Sequence, residues 1–197
     1  MVEPRRILLV EGHPDPSPER LNHRLAEAYA EGAAASGHLV HRLAVGALDF
    51  PVLRSAQAWE REPVPPSLKA SQEALQWCEH LVLLFPLWMG DMPALLKAYL
   101  EQVVRPGSLM AADRQNPFAH KPLAGRSARV VVTMGMPALA YRWFYRAHSV
   151  RSLERNLLGF VGFAPIHTNL IGQVDGLGQR GVDRWAQRLR ALGAQGA

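Results

Sequence analysis

The sequence alternates short apolar runs with longer amphipathic segments, and this alternation constrains the fold more than any other feature. Five runs are typical of strands, at residues 5–10, 38–45, 80–85, 128–134 and 165–171. The helical spacing of apolar side chains predicts helices at 19–36, 67–79, 94–105, 149–158 and 181–193. Strands joined by helices predict a doubly wound α/β parallel sheet with helices on both faces, because right-handed crossovers permit few other arrangements.

The commonest order for five such strands is 2-1-3-4-5. In that order the connections after strands one and three leave in opposite directions, which opens a ligand-binding crevice at the carboxyl ends of the strands. Three loops are expected to line this crevice: 11–22, 86–93 and 133–148. The run at 80–85 is almost continuously apolar, which predicts that strand three is buried on both faces.

Composition bounds the class of protein. The chain has 197 residues, of which 48% are apolar, so we expect a single domain over 1–197. Its only cysteine, Cys78, excludes a disulfide framework and a cysteine-based zinc site, and is typical of a reducing compartment. The basic and apolar start resembles a signal peptide, but its apolar part spans only about five residues. No apolar run approaches the roughly 20 residues that cross a bilayer, so we expect a cytoplasmic protein.

The net charge of +5 and the pI near 9.9 raise the question of nucleic acid, since clustered basic side chains bind phosphate. The arginines are scattered, however, and the densest basic and aromatic stretch is 142–155. A basic cleft for an anionic small molecule explains the charge equally well. We therefore expect no nucleic-acid partner, and keep as an alternative a module whose DNA binding would be steeply salt-dependent.

The first loop, EGHPDPSPERLN, has neither the G-x-G-x-x-G of a dinucleotide-binding fold nor the G-x-x-x-x-G-K-[ST] of a P-loop. Its three prolines disfavour helix in the residues that precede them and hold the chain extended. Ser17 is predicted to cap the following helix, with Pro18 at the first helical position. This start leaves unpaired amides at Glu19, Arg20 and Leu21, directed into the crevice.

Unpaired amides at a helix start favour an anion, so the first loop predicts a phosphate site. The Ser17 hydroxyl, the Arg20 guanidinium and the Asn22 side chain can add to it. Alternatively, Ser17 only caps its helix and His13 only hydrogen-bonds the backbone. His13 and Asp15 do not predict a metal site, since no third ligand is evident.

The second and third loops predict a flat apolar slot. In PLWMGDMP, Trp88 offers a planar wall, Met89 an adaptable one, and Gly90 a close approach of backbone. The third loop, TMGMPALAYRWFY, again places a glycine between methionines, followed by four aromatic residues. The alternatives are that Trp88 packs as core and that the aromatics of the third loop bury a subunit interface. A phosphate site and a flat slot at one crevice together suit a phosphorylated aromatic ring.

Four stretches carry a resemblance to a known family: HPDP with Asn22 behind it, FPLWMGDMPALLKAYLEQV, VVTMGMP and LLGFVGF. They span about residues 5–172, and the second is the most specific. The sequence resembles the flavodoxin-like NAD(P)H dehydrogenase (quinone) family, which includes quinone reductases and ancillary oxidoreductases of bacterial potassium-efflux systems. The resemblance implies a flavodoxin-like fold, bound FMN with FAD as the alternative, and a homodimer with the site at the subunit boundary.

The resemblance also implies roles for individual residues. It places in the flavin-phosphate loop His13, Arg20, Leu21 and Asn22. Many members carry a serine at the position of Arg20, so a serine contact to phosphate must here come from Ser17 or be lost. It places along the flavin ring Pro86, Leu87, Trp88, Met89, Gly90, Thr133, Met134 and Gly135. In quinone reductases a tyrosine and a histidine after the third loop help to neutralise charge on the reduced flavin, and Tyr141 and His148 stand in comparable positions. The third loop departs from the family, since Met134, Gly135 and Met136 replace its second threonine and glycine pair.

The implied activity is ping-pong hydride transfer, in which NAD(P)H reduces the bound flavin and leaves before a quinone or similar acceptor takes the hydride. Two alternatives share the flavin site: an ancillary subunit of a membrane transporter and a flavodoxin-type electron carrier. Carriers are typically acidic, whereas this chain is basic and has extra loops at 50–66 and 106–126. The sequence leaves open the choice between NADH and NADPH and the identity of the acceptor.

Overall fold

The computed structural model describes residues 3–110 and 121–197. Its centre is a five-stranded, all-parallel sheet in the order β2-β1-β3-β4-β5, with helices on both faces, as the sequence predicts. The strands are β1 (Arg6–Glu11), β2 (Leu39–Ala44), β3 (His80–Pro86), β4 (Ser127–Thr133) and β5 (Ile166–Ile171). Each strand lies within about one residue of its predicted span.

Eight α-helices surround the sheet in the part of the chain that the structure describes. They are α1 (Leu21–Ala35), α2 (Ala56–Arg61), α3 (Pro66–Trp77), α4 (Ala94–Val103), α5 (Ala138–Trp143), α6 (His148–Ser152), α7 (Gly159–Val161) and α8 (Gly178–Ala194). A π-helical segment, Leu153–Leu158, joins α6 to α7. Helices α2 and α5 were not predicted, because they lie in segments that the sequence pattern indicated as loops. Within the irregular stretch predicted at 106–126, residues 111–120 lie outside the described residues.

The central strands are buried on both faces, which confirms the prediction for strand three. Every residue of β3 and β4 is buried. Alternate side chains of β3 enter two cores: Leu83 packs on the face covered by α3 and α4, and Leu84 on the face covered by α1 and α8. Since side chains alternate along a strand, one strand can anchor both layers. The carboxyl ends of these strands are therefore held by a rigid platform.

Helices α1 and α8 approach each other through backbone at two glycines. A Cβ at Gly32 would lie 2.0 Å from the carbonyl oxygen of Arg190, and one at Gly193 would lie 2.1 Å from that of Tyr29. Any larger residue would separate the helices at these points. The contact covers the inner face of α1, whose first turn lies at the carboxyl edge of the sheet.

The start of α1 differs from the prediction. Arg20, and not Ser17, is the N-cap residue, and its side chain makes no capping hydrogen bond. The Arg20 amide donates instead to the Ser17 carbonyl oxygen at 3.1 Å, which closes a turn before the helix begins. Proline at three nearby positions supports such a turn as readily as a helix start, which is why the pattern was ambiguous.

Within residues 3–110 and 121–197, no helix combines the length and the apolar character that a bilayer crossing requires. The same residues contain no group of three or more histidine, cysteine or acidic side chains arranged to hold a metal ion.

Candidate functional site

Three loops meet at the carboxyl edge of the sheet, where the sequence places the crevice. The Gly12 amide donates to the Leu84 carbonyl oxygen at 2.7 Å, and the Leu87 amide donates to that of Thr133 at 2.7 Å. These bonds extend the ladders β1–β3 and β3–β4 one step beyond the strands. The loops after β1, β3 and β4 therefore leave the sheet side by side.

A cavity of about 570 Å³ lies between the second and third loops. Its lining comprises Leu87, Met89, Gly90, Met134, Gly135, Met136, Tyr141, Tyr145 and His148. We call it the loop cavity. It brings together five residues predicted for the cofactor ring and both residues predicted as catalytic. Met136 and Tyr145 join the lining without a predicted role. A larger cavity of about 710 Å³ lies beside α2, away from this edge.

The second loop forms a tight turn whose tip projects into solvent. Trp88 and Asp91 exchange two backbone hydrogen bonds, of 2.8 and 2.9 Å. Both central residues have positive φ, 49° at Met89 and 83° at Gly90, which is the type I′ geometry. Met89 is fully exposed, and no atom lies within 4 Å of a Cβ added to Gly90. The turn therefore leaves its backbone and the Met89 side chain open to a ligand.

Trp88 does not line the loop cavity, and it does not pack as core. Its side chain is 48% exposed and stands edge-on to the His13 ring, with the centroids 5.8 Å apart. Pro86, in contrast, is buried at the end of β3. Of the predicted ring-contacting residues, Pro86, Trp88 and Thr133 thus border the loop cavity without lining it.

His13 is held as a neutral ring in the first loop. Its Nδ1 accepts a hydrogen bond from the Asp15 amide at 3.0 Å, as the alternative for this residue supposed. Burial, followed by the nearby His23, lowers the His13 pKa. Since Nδ1 is an acceptor, the proton of the neutral ring sits on Nε2. Within the described residues Nε2 has no partner, so it can donate to a ligand.

The predicted anion site is shifted along the chain by the later start of α1. Among the described residues, the amides of Glu19, Leu21 and Asn22 have no acceptor, whereas the Arg20 amide is engaged by Ser17. Free amides at the first turn of a 15-residue helix attract an anion. The predicted amides at Glu19 and Leu21 are free, and Asn22 replaces Arg20 as the third.

The Arg20 side chain is tied to Asp15. Its Nε donates to Asp15 Oδ2 at 2.7 Å, while Asp15 Oδ1 accepts from the Ser17 amide at 2.9 Å. The Ser17 amide bond, and then the Arg20 side chain, lower the pKa of the Asp15 carboxyl. The carboxylate therefore shapes the first loop and keeps the guanidinium beside it.

Asn22 links the first loop to the third. Its Oδ1 accepts a hydrogen bond from Thr133 Oγ1 at 2.8 Å, in a buried position. Its Nδ2 is also buried and has no acceptor in the described part of the chain. A buried unpaired donor is costly, so an acceptor supplied from outside the chain would stabilise this point.

A buried ionic network under the first loop was not predicted. Glu11, at the end of β1, is 4% exposed. One of its oxygens contacts His23 Nδ1 at 2.6 Å, and the other accepts from Arg42 Nη2 at 2.9 Å. His23 Nε2 in turn contacts the Asp15 carbonyl oxygen at 2.9 Å. The network connects β1, α1 and β2 to the backbone of the first loop.

The two predicted catalytic residues occupy different environments. The Tyr141 hydroxyl is bonded to Ser149 Oγ at 2.7 Å and lies 3.4 Å from the Val150 amide, and the residue is buried. His148 begins α6 and is exposed. Tyr141 is therefore fixed at the wall of the loop cavity, while His148 can turn towards a ligand at its mouth.

Comparison with known proteins adds to the geometry. The chain is 24% identical over 155 residues, 66% of its length, to the ribosyldihydronicotinamide dehydrogenase-like protein traD of Penicillium crustosum, and covers 57% of that protein. It is 34% identical over 64 residues to an FMN-dependent NADH:quinone oxidoreductase of Ruegeria pomeroyi, which is 32% of this chain and 31% of that one. The chain thus spans between a third and somewhat over half of the curated relatives it matches.

The fold is also that of a solved structure. The NAD(P)H:quinone oxidoreductase of Methanothermobacter marburgensis superposes with a TM-score of 0.78 at 20% identity, over 99% of this chain and 100% of that one. The family model described as a flavodoxin-like fold matches residues 5–193. This match takes in all five strands and nearly all of α8. The chain belongs to the family of flavodoxin-like fold proteins that this model defines.

Proposed function

We propose that the chain is an FMN-dependent NAD(P)H:quinone oxidoreductase. One observation carries the proposal: residues from separate loops, predicted to hold the flavin ring or to act on it, line one cavity of about 570 Å³. That volume is within the range of small-molecule sites. One relative, an FMN-dependent NADH:quinone oxidoreductase, supports FMN over FAD.

The residues present fit a phosphorylated ring. The free amides at the start of α1 and the His13 Nε2–H would hold the phosphate. Asn22 Nδ2 is a buried donor that lacks an acceptor at the same place. The loop cavity, apolar at Leu87 and Met134 with exposed backbone at Gly90, would take the ring. When bound, the flavin supplies hydride transfer between a dihydronicotinamide and a quinone.

The chain's own side chains orient the reactants and exclude water. Tyr141, held by Ser149 through its hydroxyl, forms part of the cavity wall, and the exposed His148 can offer a ring nitrogen to a ligand. Hydrogen-bond donors in such positions stabilise negative charge as it develops. Beside the mouth, Trp143 and Phe144 are 76% and 80% exposed. A second copy of the chain covering these aromatics would complete the site, and we expect a homodimer.

The test is spectroscopic and kinetic. The purified protein, or the protein reconstituted with FMN, should show the flavin absorption spectrum and oxidise NADH or NADPH only when 1,4-benzoquinone is present. Parallel lines in double-reciprocal plots would show the ping-pong order. A carrier or an ancillary subunit would bind flavin with negligible turnover. A protein that binds neither FMN nor FAD would overturn the proposal.

A glycine pair sharpens this test. A Cβ at Gly135 meets only Asp175 Oδ2, at 3.4 Å, and one at Gly176 meets nothing within 4 Å, so both positions accept a side chain. Only Gly135 lines the loop cavity. Gly135→Val should therefore abolish flavin binding in a folded protein, while Gly176→Val retains it. Equal retention in both variants would remove the loop cavity from the flavin site.

A further inference from the structure

A second cavity, of about 400 Å³, lies at the outer edge of β5, separate from the loop cavity. Its walls come from α5, the α6–π segment, α8 and the edge of β5 itself. We call it the β5-edge cavity. Helix α5 separates the two cavities, since Tyr141 lines the first and its neighbour Arg142 lines the second.

Three arginines from three different helices line the β5-edge cavity: Arg142 of α5, Arg151 of α6 and Arg188 of α8. Within residues 3–110 and 121–197, none of them forms an ion pair. Arg188 lies over the Trp185 ring, 5.1 Å from its centroid. The only acidic side chain in the lining, Glu154, accepts a hydrogen bond from Thr168. The lining thus carries three guanidiniums and one carboxylate, so its net charge is positive.

A fourth cation lies behind the cavity wall. Arg129 of β4 is only 7% exposed, and its Nη1 donates to Asn169 Oδ1 at 2.6 Å. Its Nε is buried with no partner among the described residues. Burial lowers the Arg129 pKa; Tyr29 raises it in part, and the positive charge of Arg188 lowers it. A buried, unneutralised cation raises the potential at a nearby cavity, because the surrounding dielectric is low.

The cavity wall presents donors. Arg129 occupies Asn169 Oδ1, which leaves the Nδ2 group of Asn169, a lining residue, as its donor end. The carbonyl oxygens of Pro165 and Ile171 accept from the amides of Ala128 and Met134, so the odd-numbered residues of β5 bond to the sheet. In a parallel ladder the alternate residue, Thr168, turns both its amide and its carbonyl oxygen to the open edge. The guanidiniums, the Asn169 amide group and the Thr168 N–H are nevertheless more numerous than the acceptors, so the cavity suits a group that only accepts hydrogen bonds.

We propose that the β5-edge cavity is a binding site for a phosphate-bearing ligand. A phosphate or pyrophosphate group is the acceptor-only, multiply charged partner that arginine forks recognise. Two sources share this chemistry. One is a separate phosphorylated small molecule. The other is the phosphate end of a dinucleotide whose nicotinamide lies in the loop cavity, and this source alone rests on the proposed function.

The first experiment needs no enzyme activity. Inorganic pyrophosphate is titrated into the full-length protein by calorimetry, with chloride at equal ionic strength as reference. Arg142→Gln, Arg151→Gln and Arg188→Gln should each weaken pyrophosphate binding about tenfold. Arg180→Gln is the matched control, since Arg180 is an exposed arginine of α8 outside the cavity and loses the same charge. Pyrophosphate binding that is no stronger than that of chloride, or that falls as much in Arg180→Gln, would overturn the proposal.

The second experiment separates the sources. If the ligand is a dinucleotide, the three cavity variants raise KM for NADPH, and pyrophosphate competes with it. KM for NADH rises as well where the cavity holds the pyrophosphate, and stays unchanged where it holds the 2′-phosphate, which NADH lacks. If it is a separate molecule, the same variants lose pyrophosphate and keep both KM values. A protein without NAD(P)H turnover would contradict the proposed function, and the titration would still decide the phosphate site.

Discussion

The His13 ring stands edge-on to the Trp88 indole, with the centroids 5.8 Å apart and the planes at 82°. This is a favourable arrangement for two aromatic rings, since the edge of one meets the face of the other. It joins the loop after β1, which carries the predicted phosphate site, to the loop after β3, which lines the loop cavity. The two halves of the proposed flavin site therefore share one contact.

Replacing Trp88 with alanine should impair flavin binding more than stability. Because the indole is 48% exposed, its loss should lower the free energy of unfolding by no more than about 1.5 kcal/mol. Loss of the ring that contacts His13, between the predicted phosphate site and the loop cavity, should raise the dissociation constant of FMN at least about tenfold. Denaturant unfolding and fluorescence titration measure the two effects. Trp59→Ala, which removes a partly exposed indole beside α2 and away from the loop cavity, is the control. A large loss of stability with unchanged FMN affinity would assign Trp88 to packing.

Glu11→Gln should be strongly destabilising. The buried carboxylate is shared by His23 and Arg42. Glutamine offers one acceptor oxygen in place of two and no charge, so His23 loses its ionic partner and Arg42 keeps only the exposed Glu27. We expect a loss of about 3 kcal/mol in the free energy of unfolding, measured in urea. Glu27→Gln is the matched control, because Glu27 pairs with the same Arg42 from an exposed position and should cost under about 1 kcal/mol. Equal losses of unfolding free energy in the two variants would show that the buried network stabilises the protein no more than an exposed ion pair does.

Acid should destabilise the protein partly through His80. Burial lowers the His80 pKa from 6.5 to about 3, and its Nδ1 bonds to Ser127 Oγ at 2.7 Å. The unfolded chain takes up a proton near pH 6.5, whereas the folded chain does not until about pH 3. This contribution is complete above pH 6.5 and is lost on acidification, by about 1.4 kcal/mol per pH unit.

The His80→Gln variant isolates that contribution. Between pH 7 and pH 4.5 its stability should fall by about 2.5 kcal/mol less than that of the wild type. His41→Gln, which removes an exposed histidine that does not act on the His80 pKa, is the control. If His80→Gln and the wild type have the same pH profile, His80 does not remain neutral in the folded state.

Cys78 should be inert in the native protein. The thiol is fully buried, and burial raises its pKa to about 11, so it stays protonated at neutral pH. Reaction with a disulfide reagent at pH 7.5 should be at least about a hundredfold slower than in denaturant, because it requires opening of the structure. As the chain has one cysteine, the released chromophore reports this site alone. Rapid native labelling would contradict the burial.

The sheet was predictable because each strand is marked by a local apolar run in the sequence. Apolar runs of five to eight residues alternate with helical patterns, and the connection rules then leave one common order. That order also predicted which loops meet, since it places the ends of β3 and β4 side by side. Roles for most residues of the loop cavity came instead from the family resemblance. Helix α2 was not predicted because it lies in a Pro-rich stretch. Serine is a favoured N-cap residue, and the Ser55 Oγ accepts from the Ala58 amide, so this residue could have indicated the helix.

Other features depend on contacts that no local pattern encodes. The Glu11 network joins β1, α1 and β2, and only the folded sheet brings His23 and Arg42 to one carboxylate. The N-cap prediction at Ser17 was wrong. The Ser17 carbonyl oxygen, and not its hydroxyl, accepts a hydrogen bond from the Arg20 amide, and this closes a turn before α1 begins. The positive charge of the β5-edge cavity was likewise not predictable, since its arginines lie on three helices that are separate in the sequence.

The glycine contact between α1 and α8 has a consequence for biosynthesis. Residues 178–194 follow all five strands in the sequence, so they leave the ribosome after every other major element. Until they arrive, the inner face of α1 has no cover, and the helix whose first turn would grip the coenzyme is only partly assembled. Under the proposed function, we therefore expect the coenzyme to bind only after residues 178–194 have left the ribosome and packed on α1.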